Sequence, residues 1–405
     1  MKHKVPRAKR KLEIEVADII RMHGDAYCKN NILTPEQHKV LNAIRNCRTS
    51  VLGGHIDRCD NCGHTNISYD SCRNRHCPKC QSLKTLKWLE ERQKELLPVP
   101  YFHVVFTLPH ELNILVMYNK KELYSLLMRS VWETIKTFGE DPKKLNGLMG
   151  MIAMLHTWGQ TLSDHNHLHC MIPGGSLQNG SKWQPSKPDY LFSVKAMSVV
   201  FRGIFIKSLR ALYDDNKLKI PNSPDLKTSL SVKANFETLL SNLMKKSWVV
   251  YSKHPFAGPK QLLKYLGRYI NKIAISNYRI ISCDEQEVRF SWRDYADNNT
   301  VKIMALKPEE FIRRFLMHVV PTGFIRVRFF GFLANACKKK NIEIIRKLLD
   351  YAPAPAEQKK DVRSLMLELT GIDITICPHC KGNLYIIQTM PNKLIKTTKI
   401  TSDTS

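Results

Sequence analysis

A segment with three histidines has residue types and spacing that could hold a metal ion. Along a β-strand, side chains alternate between faces, which gives this segment an imidazole face, with His165, His167, His169 and Met171, and an apolar face, with Leu168, Cys170 and Ile172. Neutral imidazoles at alternate strand positions project together and bind divalent metals readily. His167 and His169 are therefore a candidate metal pair, and the alternative is a histidine-rich surface strand that binds nothing.

Two tyrosines further along the chain could act as nucleophiles. Apolar residues at helical spacing predict a helix over residues 261–272, in which Tyr265 and Tyr269 share a face. Tyrosines one turn apart are commonly core or stacking residues. A phenol has a pKa near ~10 and is a weak nucleophile at neutral pH, so a metal or a base must assist it. Arg268, between the two tyrosines, is a candidate for binding DNA.

The segments around the histidines predict a mixed domain of helices and strands. Hydrophobic periodicity predicts a strand at residues 101–108, a helix at about 111–138 and a strand at 151–158. This last strand would pair with the histidine strand after a turn near Ser163–Asp164. The expected fold class is therefore α+β, with a central antiparallel sheet that positions the histidines.

The N-terminal part carries a cysteine block that is typical of a zinc module. It contains two Cys-x-x-Cys pairs separated by fourteen residues: Cys59 with Cys62, and Cys77 with Cys80. This spacing predicts that the four thiolates complete one tetrahedral zinc site. Further candidate ligands in the same block, which leave open a second zinc ion or a substituted ligand, are Cys47, Cys72 and His76. Such a zinc could shape a module that grips DNA, or could only hold a small domain together.

Another Cys-x-x-Cys pair, Cys377 with Cys380, lies near the C-terminal end of the sequence. Two cysteines cannot fill a zinc site, so His379 or a distant cysteine must contribute, or no metal binds there. The chain has twelve cysteines, and its basic N-terminal residues lack the apolar core of a secretory signal. Both observations favour metal ligation in a reducing cytoplasm over disulfides.

Charge indicates a polyanionic partner. The 63 Lys and Arg residues exceed the 36 Asp and Glu residues, for a formal net charge of +27. In addition, Arg326 and Arg328 fall on one face of an alternating segment, where they could meet phosphates or solvent. No apolar run approaches the ~18 residues of a membrane-spanning helix. Residues 175–182 resemble a phosphate loop but have Ser and Lys in the wrong order, so no nucleotide cofactor is expected.

In these features the chain resembles the two-tyrosine, rolling-circle transposases of the insertion-sequence-ninety-one family, within the HUH (His-hydrophobe-His) nucleases. The resemblance rests on Leu155–Gln160, on His167-Leu168-His169 with its Pro-Gly-Gly exit, on Tyr265–Tyr269 with Ala274–Asn277 behind it, on the cysteines from Cys47 to Cys80, and on Pro321–Gly331. These segments extend over most of residues 35–335.

The resemblance implies an HUH-nuclease palm and a division into three parts. These are residues 1–97, a basic arm with helices and a zinc-ribbon module; residues 98–350, the catalytic domain; and residues 351–405, a linker with a Cys-x-x-Cys knuckle and a flexible tail. The implied partner is DNA, as single-stranded or hairpin element ends and as target DNA.

The resemblance also implies a mechanism. His167 and His169 would hold Mg²⁺ or Mn²⁺, with the Gln160 carbonyl as the first choice of third ligand, because its oxygen suits a hard cation. The reserves for that ligand are His165, Asp164 and His103. Tyr265 or Tyr269 would then attack a DNA phosphate and leave a 5′-phosphotyrosine with a free 3′-OH.

Two other classes of protein remain as alternatives. A plasmid replication initiator or a relaxase would share the nicking chemistry, although the early zinc module favours the transposase. A non-catalytic, zinc-dependent DNA-binding protein would explain the charge and the cysteines, but it would leave the histidine and tyrosine pairs without a role.

Overall fold

The computed structural model describes residues 14–220, 229–256, 265, 267, 273–352 and 361–394 of the 405-residue chain. Its contacts group the chain into two compact units, each discontinuous in sequence. We call them the cysteine unit, residues 1–87, 273–319 and 357–405, and the histidine unit, residues 88–272 and 320–356.

This division differs from the three consecutive parts predicted from the sequence. Residues 357–405 fall in the same unit as the N-terminal cysteines, and residues 273–319 of the expected catalytic domain join them. Pairing between distant strands is the physical reason, since β1 (Gly54–Cys59) pairs along its length with β13 (Leu384–Met390). A linear reading of composition cannot show such a pairing.

Five antiparallel strands form the sheet of the histidine unit, in the order β12-β4-β5-β3-β8. Their bounds are β3 (Tyr101–Thr107), β4 (Gly150–Trp158), β5 (Asp164–Pro173), β8 (Val250–Phe256) and β12 (Val327–Gly331). A short hairpin follows β5, with strands β6 (Gly175–Gln178) and β7 (Lys182–Pro185). The α+β class with a central antiparallel sheet is confirmed.

Helices cover the apolar face of this sheet. The helices in this part of the chain are α3 (Gln81–Gln93, which contains the boundary between the units), α4 (Asn113–Tyr118), α5 (Lys120–Glu140), α6 (Val194–Asp214), α7 (Lys233–Lys245) and α9 (Lys338–Leu348). Side chains from α5, α6 and α7 form one core with Leu168, Cys170 and Ile172, which are fully buried. Burying a Leu or Ile side chain contributes about 1.5–3 kcal/mol, so these residues fix which face of β5 points inward. The predicted apolar face of the histidine strand is confirmed.

The opposite face of the sheet differs in composition between the two ends of its strands. At one end, Tyr101, Ile152, Met154 and Met171 belong to a second apolar core. At the other end the same face carries histidines. The sheet therefore presents imidazoles beside a rigid, packed core, which is the setting that holds ligands in a fixed geometry.

The helix predicted over residues 111–138 is interrupted, and this prediction is wrong at one residue. Asn119 leaves the helical conformation, with φ −129° and ψ 41°, and separates α4 from α5. Its Nδ2 donates to the carbonyl oxygens of Leu115 and Lys219, at 2.9 and 2.8 Å, and its Oδ1 accepts from the Lys219 N–H at 2.7 Å. The partner is distant in sequence, so helical periodicity gives no sign of the break.

The cysteine unit combines helices with two three-stranded antiparallel sheets, β13-β1-β2 and β11-β10-β9. Its remaining elements are α1 (Val16–Asn30), α2 (Pro35–Arg45), β2 (Thr65–Tyr69), β9 (Ile280–Cys283), β10 (Val288–Asp294), β11 (Thr300–Leu306), α8 (Pro308–Met317) and α10 (Val362–Thr370). Thr34 and Gln37 cap α2 reciprocally, each side chain accepting from the other's backbone N–H, at 3.3 and 2.9 Å. This capping box fixes the start of α2.

Candidate active site and cysteine clusters

Three buried imidazoles converge at the histidine end of the sheet. His167 and His169 lie on β5, and His156 lies on β4 directly opposite His167. All three are less than a tenth exposed, and one ligating nitrogen of each lies within 4.8 Å of the others. We call His156, His167 and His169 the histidine cluster.

Hydrogen bonds orient the two β5 imidazoles. His167 Nδ1 lies 2.7 Å from the carbonyl oxygen of His165, and because that oxygen can only accept, His167 carries its proton on Nδ1. Its Nε2 lone pair is then directed at His169 Nε2, 3.1 Å away. Two nitrogens each ~2.1 Å from a shared cation and at right angles to it would be separated by about 3 Å. The pair therefore has the separation of two ligands of one ion.

A hydrogen-bonded series connects this pair to a tyrosine. His169 Nδ1 lies 2.8 Å from His103 Nε2, and His103 Nδ1 lies 2.9 Å from Tyr265 Oη. His103 is 2% exposed, and burial lowers its pKa to about 4, with the charge of Lys253 acting in the same direction. At neutral pH, His103 is therefore a neutral imidazole with one N–H and one lone pair.

The structure brings His156 to the two predicted ligands. Gln160, the first choice of third ligand, lies in the turn beyond the end of β4, where it is half-buried. The third nitrogen near His167 and His169 is that of His156. His156 lies in the segment Leu155–Gln160, on which the family resemblance partly rests, and no sequence pattern predicted a role for it.

The reserve ligands lie elsewhere. Asp164 points to the face of β5 opposite His167, where Asn166 Nδ2 donates to its Oδ1 at 3.0 Å and burial raises its pKa to about 6. The His165 ring is on the exposed margin of the strand, and its backbone oxygen orients His167. His103 lies behind His169, on the nitrogen that faces away from His167. The His165 backbone and the His103 ring therefore each contact one of the two predicted ligands.

Tyr269 and Arg268, both predicted as functional residues, lie outside the described residues. Arg326 and Arg328 are half-buried at the start of β12. The Arg328 guanidinium lies 5.1 Å from the centre of the Phe324 ring, and its Nη2 donates to Ser125 Oγ at 3.3 Å. These contacts tie Arg328 to the helical side of the sheet.

Eight of the twelve cysteines form two groups of four. The Cys47 cluster contains Cys47, Cys72, Cys77 and Cys80, and the Cys59 cluster contains Cys59, Cys62, Cys377 and Cys380. Within each group, the four Sγ atoms lie within 4.8 Å of one another, and the chain forms no disulfide. A hydrogen bond from Cys72 lowers the pKa of Cys47 to about 7, which favours a thiolate.

This grouping corrects the predicted zinc site, which joined the pairs Cys59–Cys62 and Cys77–Cys80. The two pairs lie at opposite ends of β1, whose six residues span about 20 Å at ~3.3 Å per residue. Each pair instead finds partners near it: Cys47 and Cys72 at the base of the hairpin, and the C-terminal pair at its tip. His76, a predicted alternative ligand, is buried but is not part of either group.

The described residues include no helix that is long and apolar enough to cross a membrane. Two family models match the chain, one described as "Putative transposase" over residues 150–341 and one as "Transposase zinc-binding domain" over residues 19–108. The first range contains the histidine cluster and Tyr265, and the second contains the Cys47 cluster.

Two proteins of related sequence carry similar descriptions. "Putative transposase y4qJ" from Sinorhizobium fredii is 44% identical over 380 residues, which cover 92% of this chain and 95% of that protein. "Transposase for insertion sequence element IS801" from Pseudomonas savastanoi pv. phaseolicola is 26% identical over 314 residues, or 76% of this chain and 73% of that protein. No solved structure matches the chain.

Proposed function

Since this chain belongs to the insertion-sequence-ninety-one family of transposases, we propose that it nicks and rejoins single-stranded DNA at the ends of its element through a 5′-phosphotyrosine. One observation carries this proposal: Tyr265 Oη is hydrogen-bonded to His103, and His103 to His169 of the histidine cluster. A phenol in contact with a candidate metal site is the arrangement that tyrosine transesterification requires. The net charge of +27 suits a DNA substrate.

The histidine cluster would hold one divalent cation through His156, His167 and His169. Imidazole donors fit Mn²⁺ better than Mg²⁺, which prefers oxygen ligands and retains its waters. When bound, such an ion polarises the scissile phosphate and offsets the charge that develops on it. Gln160 remains a candidate to complete the coordination from the turn.

A cation at the cluster would set the direction of the hydrogen bonds that lead to the tyrosine. If His169 bound the cation through Nε2, its proton would lie on Nδ1 and be donated to His103 Nε2. Neutral His103 then carries its own proton on Nδ1 and donates it to Tyr265 Oη. This hydrogen bond favours the phenolate form and aims a lone pair of Oη outward.

Tyr265 would act as the nucleophile in the first step. Its Oη forms a bond to phosphorus, the bond from phosphorus to the 3′-oxygen breaks, and the proton lost by the phenol ends on that 3′-oxygen. The downstream strand stays attached through its 5′-phosphate. Because the tyrosyl ester conserves the bond energy, a 3′-OH can reverse the reaction without ATP. Tyr269 would supply a second attachment.

The two cysteine clusters indicate that the protein works where thiols are reduced, so we place the reaction in the cytoplasm. We assign one structural zinc ion to the Cys47 cluster, which lies within the matched zinc-binding domain. Such an ion would hold the helices and the hairpin of the cysteine unit in the shape that binds DNA.

The test of this function uses the purified chain and labelled single-stranded oligonucleotides from the ends of its own element. With Mn²⁺ we expect cleavage that leaves one product covalently bound to protein, and we expect none with EDTA or with Tyr265→Phe/Tyr269→Phe. Tyr251→Phe, an exposed tyrosine on β8, is the matched control and should cleave normally. Tight binding of the ends without any cleavage would instead support the non-catalytic DNA-binding alternative.

His103→Ala is expected to weaken Mn²⁺ binding by about 10–100-fold, because His103 orients a metal ligand from behind. The yield of covalent product should fall at saturating Mn²⁺ as well, since Tyr265 loses its hydrogen bond. Mn²⁺ affinity, measured by electron paramagnetic resonance, is the readout that separates these roles.

Two variants serve as comparisons for that experiment. His103→Gln, whose amide can both donate and accept, should recover part of the affinity. His110→Ala, which removes an imidazole whose side chain is 83% exposed, should leave the affinity unchanged. If His103→Ala bound Mn²⁺ as wild type does, the proposed link from His103 to the metal would be wrong.

A further inference from the structure

The Cys59 cluster joins parts of the chain that are far apart in sequence. Cys59 is the last residue of β1 and Cys62 follows this strand, whereas Cys377 and Cys380 precede β13. The matched family models end at residues 108 and 341, so neither of them includes the second pair.

The two Cys-x-x-Cys segments share one backbone conformation. The N–H of Cys59 donates to the carbonyl oxygen five residues ahead, at His64, and the N–H of Cys377 does the same with Gly382, at 2.9 and 2.8 Å. In the reverse direction, Gly63 donates to the Cys59 oxygen at 3.2 Å, and Lys381 donates to the Cys377 oxygen at 3.1 Å. Two segments with unrelated intervening residues have thus folded into the same turn.

Positive φ angles complete this likeness. Gly63 has φ 71°, and Lys381, at the equivalent position after the second cysteine, has φ 66°. This conformation is unfavourable for a lysine, so the surrounding structure must hold it there. Turns of this kind direct two thiols to one point, as in zinc knuckles.

The four sulfur atoms have the spacing of a tetrahedral metal site. Cys59 Sγ lies 3.4 Å from Cys380 Sγ, and Cys62 Sγ lies 3.7 Å from Cys377 Sγ. Four sulfurs each ~2.3 Å from a central zinc ion are about 3.8 Å apart. The Gly382 N–H also donates to Cys380 Sγ at 3.4 Å, which favours the thiolate that a metal binds.

The two Cys-x-x-Cys segments pack closely against each other around the sulfur atoms. The Asp60 carboxylate accepts from the backbone N–H and from Nδ2 of Asn383, at 2.9 and 3.1 Å. A Cβ at Gly382 would lie 2.7 Å from Asp60 Oδ1 and 3.0 Å from Cys59 Sγ, so this position has no room for a side chain. Pairing of β1 with β13 continues from this point, beginning at Cys59 and Leu384.

We propose that Cys59, Cys62, Cys377 and Cys380 bind a second structural zinc ion. This ion would fix the C-terminal segment to the rest of the cysteine unit. The four thiols lose their protons when the ion binds, and no oxidant or reductant is needed. Zinc is preferred to iron because Cys59 and Cys62 lie within the matched zinc-binding domain. The proposal concerns metal content and is independent of the nicking chemistry.

Metal analysis of the purified full-length chain tests this site. Wild-type protein should contain two zinc ions per chain, and Cys377→Ser/Cys380→Ser should contain one. Cys283→Ser/Cys337→Ser, which changes two cysteines outside both clusters, should retain two. One zinc ion in wild type, two in the Cys377→Ser/Cys380→Ser variant, or iron in place of zinc would overturn the proposal.

Alkylation of wild-type protein gives a second test that does not depend on any variant folding. With zinc bound, all four cysteines of the Cys59 cluster should resist a thiol reagent, and they should become reactive together when zinc is chelated under reducing conditions. Peptide mass spectrometry reports each cysteine separately. Rapid alkylation of Cys377 and Cys380 in zinc-loaded protein, or recovery of the four as disulfides, would contradict the proposed site.

Discussion

His167→Ala is expected to reduce nicking of single-stranded DNA by at least about 10³-fold, because a metal that stabilises the transition state by several kcal/mol loses a ligand. The His165 carbonyl oxygen accepts the His167 Nδ1–H and so fixes the orientation of this predicted ligand. Mn²⁺ affinity should fall along with the rate. Both quantities can be measured on the same preparation.

His165→Ala is the matched control for this prediction. It removes an imidazole two residues away on the same strand face, while the backbone oxygen that orients His167 remains. We expect nearly wild-type nicking and Mn²⁺ affinity. Equal losses in the two variants would mean that the strand contributes through general packing or charge, and the histidine cluster would lose its assigned role.

Cys77→Ser/Cys80→Ser is expected to unfold the cysteine unit and abolish tight binding of element ends. Structural zinc contributes about 10–16 kcal/mol to the folding of small zinc modules, which exceeds the stability of most domains. The histidine unit has its own apolar core and should keep a cooperative thermal transition. Calorimetry, zinc content and DNA affinity together measure the effect.

Cys28→Ser, a half-buried cysteine of α1 outside both clusters, controls for the loss of a thiol. It should leave zinc content and DNA affinity unchanged. If the Cys77→Ser/Cys80→Ser variant kept its zinc and bound element ends as wild type does, the Cys47 cluster would not be a structural zinc site.

Local patterns were sufficient to predict the sheet and one side of the site. Alternation of polar and apolar residues along 165–172 predicted which face of β5 is buried. Leu168 and the other apolar residues of this pattern can enter the core only on the face opposite the histidines. Patterns of this kind depend only on residues close in sequence, so the folded chain keeps the local structure that they predict.

His156 was missed because strand alternation alone does not give the register of β4 against β5. Trp158 lies opposite Asp164, and a regular register from that pair would place His156 opposite Asn166, on the other face from His167. The register shifts between His156 and Trp158, so His156 faces His167. One extra residue in a strand leaves no signal in the hydrophobic pattern, yet it decides which side chains meet.

The partners of the cysteine pairs depended on long-range pairing. Spacing alone predicted that Cys59 and Cys62 share a zinc site with the nearest other Cys-x-x-Cys pair, Cys77 and Cys80. In the structure, the length of β1 separates these two pairs. The true partner of the Cys59–Cys62 pair is more than three hundred residues away and is brought near by β13. The contact of Tyr265 with His103 is equally nonlocal, since it joins residues 162 apart.

Peptide mapping of the covalent protein–DNA product tests the central claim most directly. Wild-type protein would be reacted with a labelled single-stranded element end and Mn²⁺, digested with protease and nuclease, and analysed by mass spectrometry. Tyr265 should carry the 5′-phosphate of the downstream strand, and the other product should end in a free 3′-OH. Cleaved DNA with a free 5′-phosphate and no attached peptide, or attachment at a residue other than the two tyrosines, would contradict tyrosine transesterification.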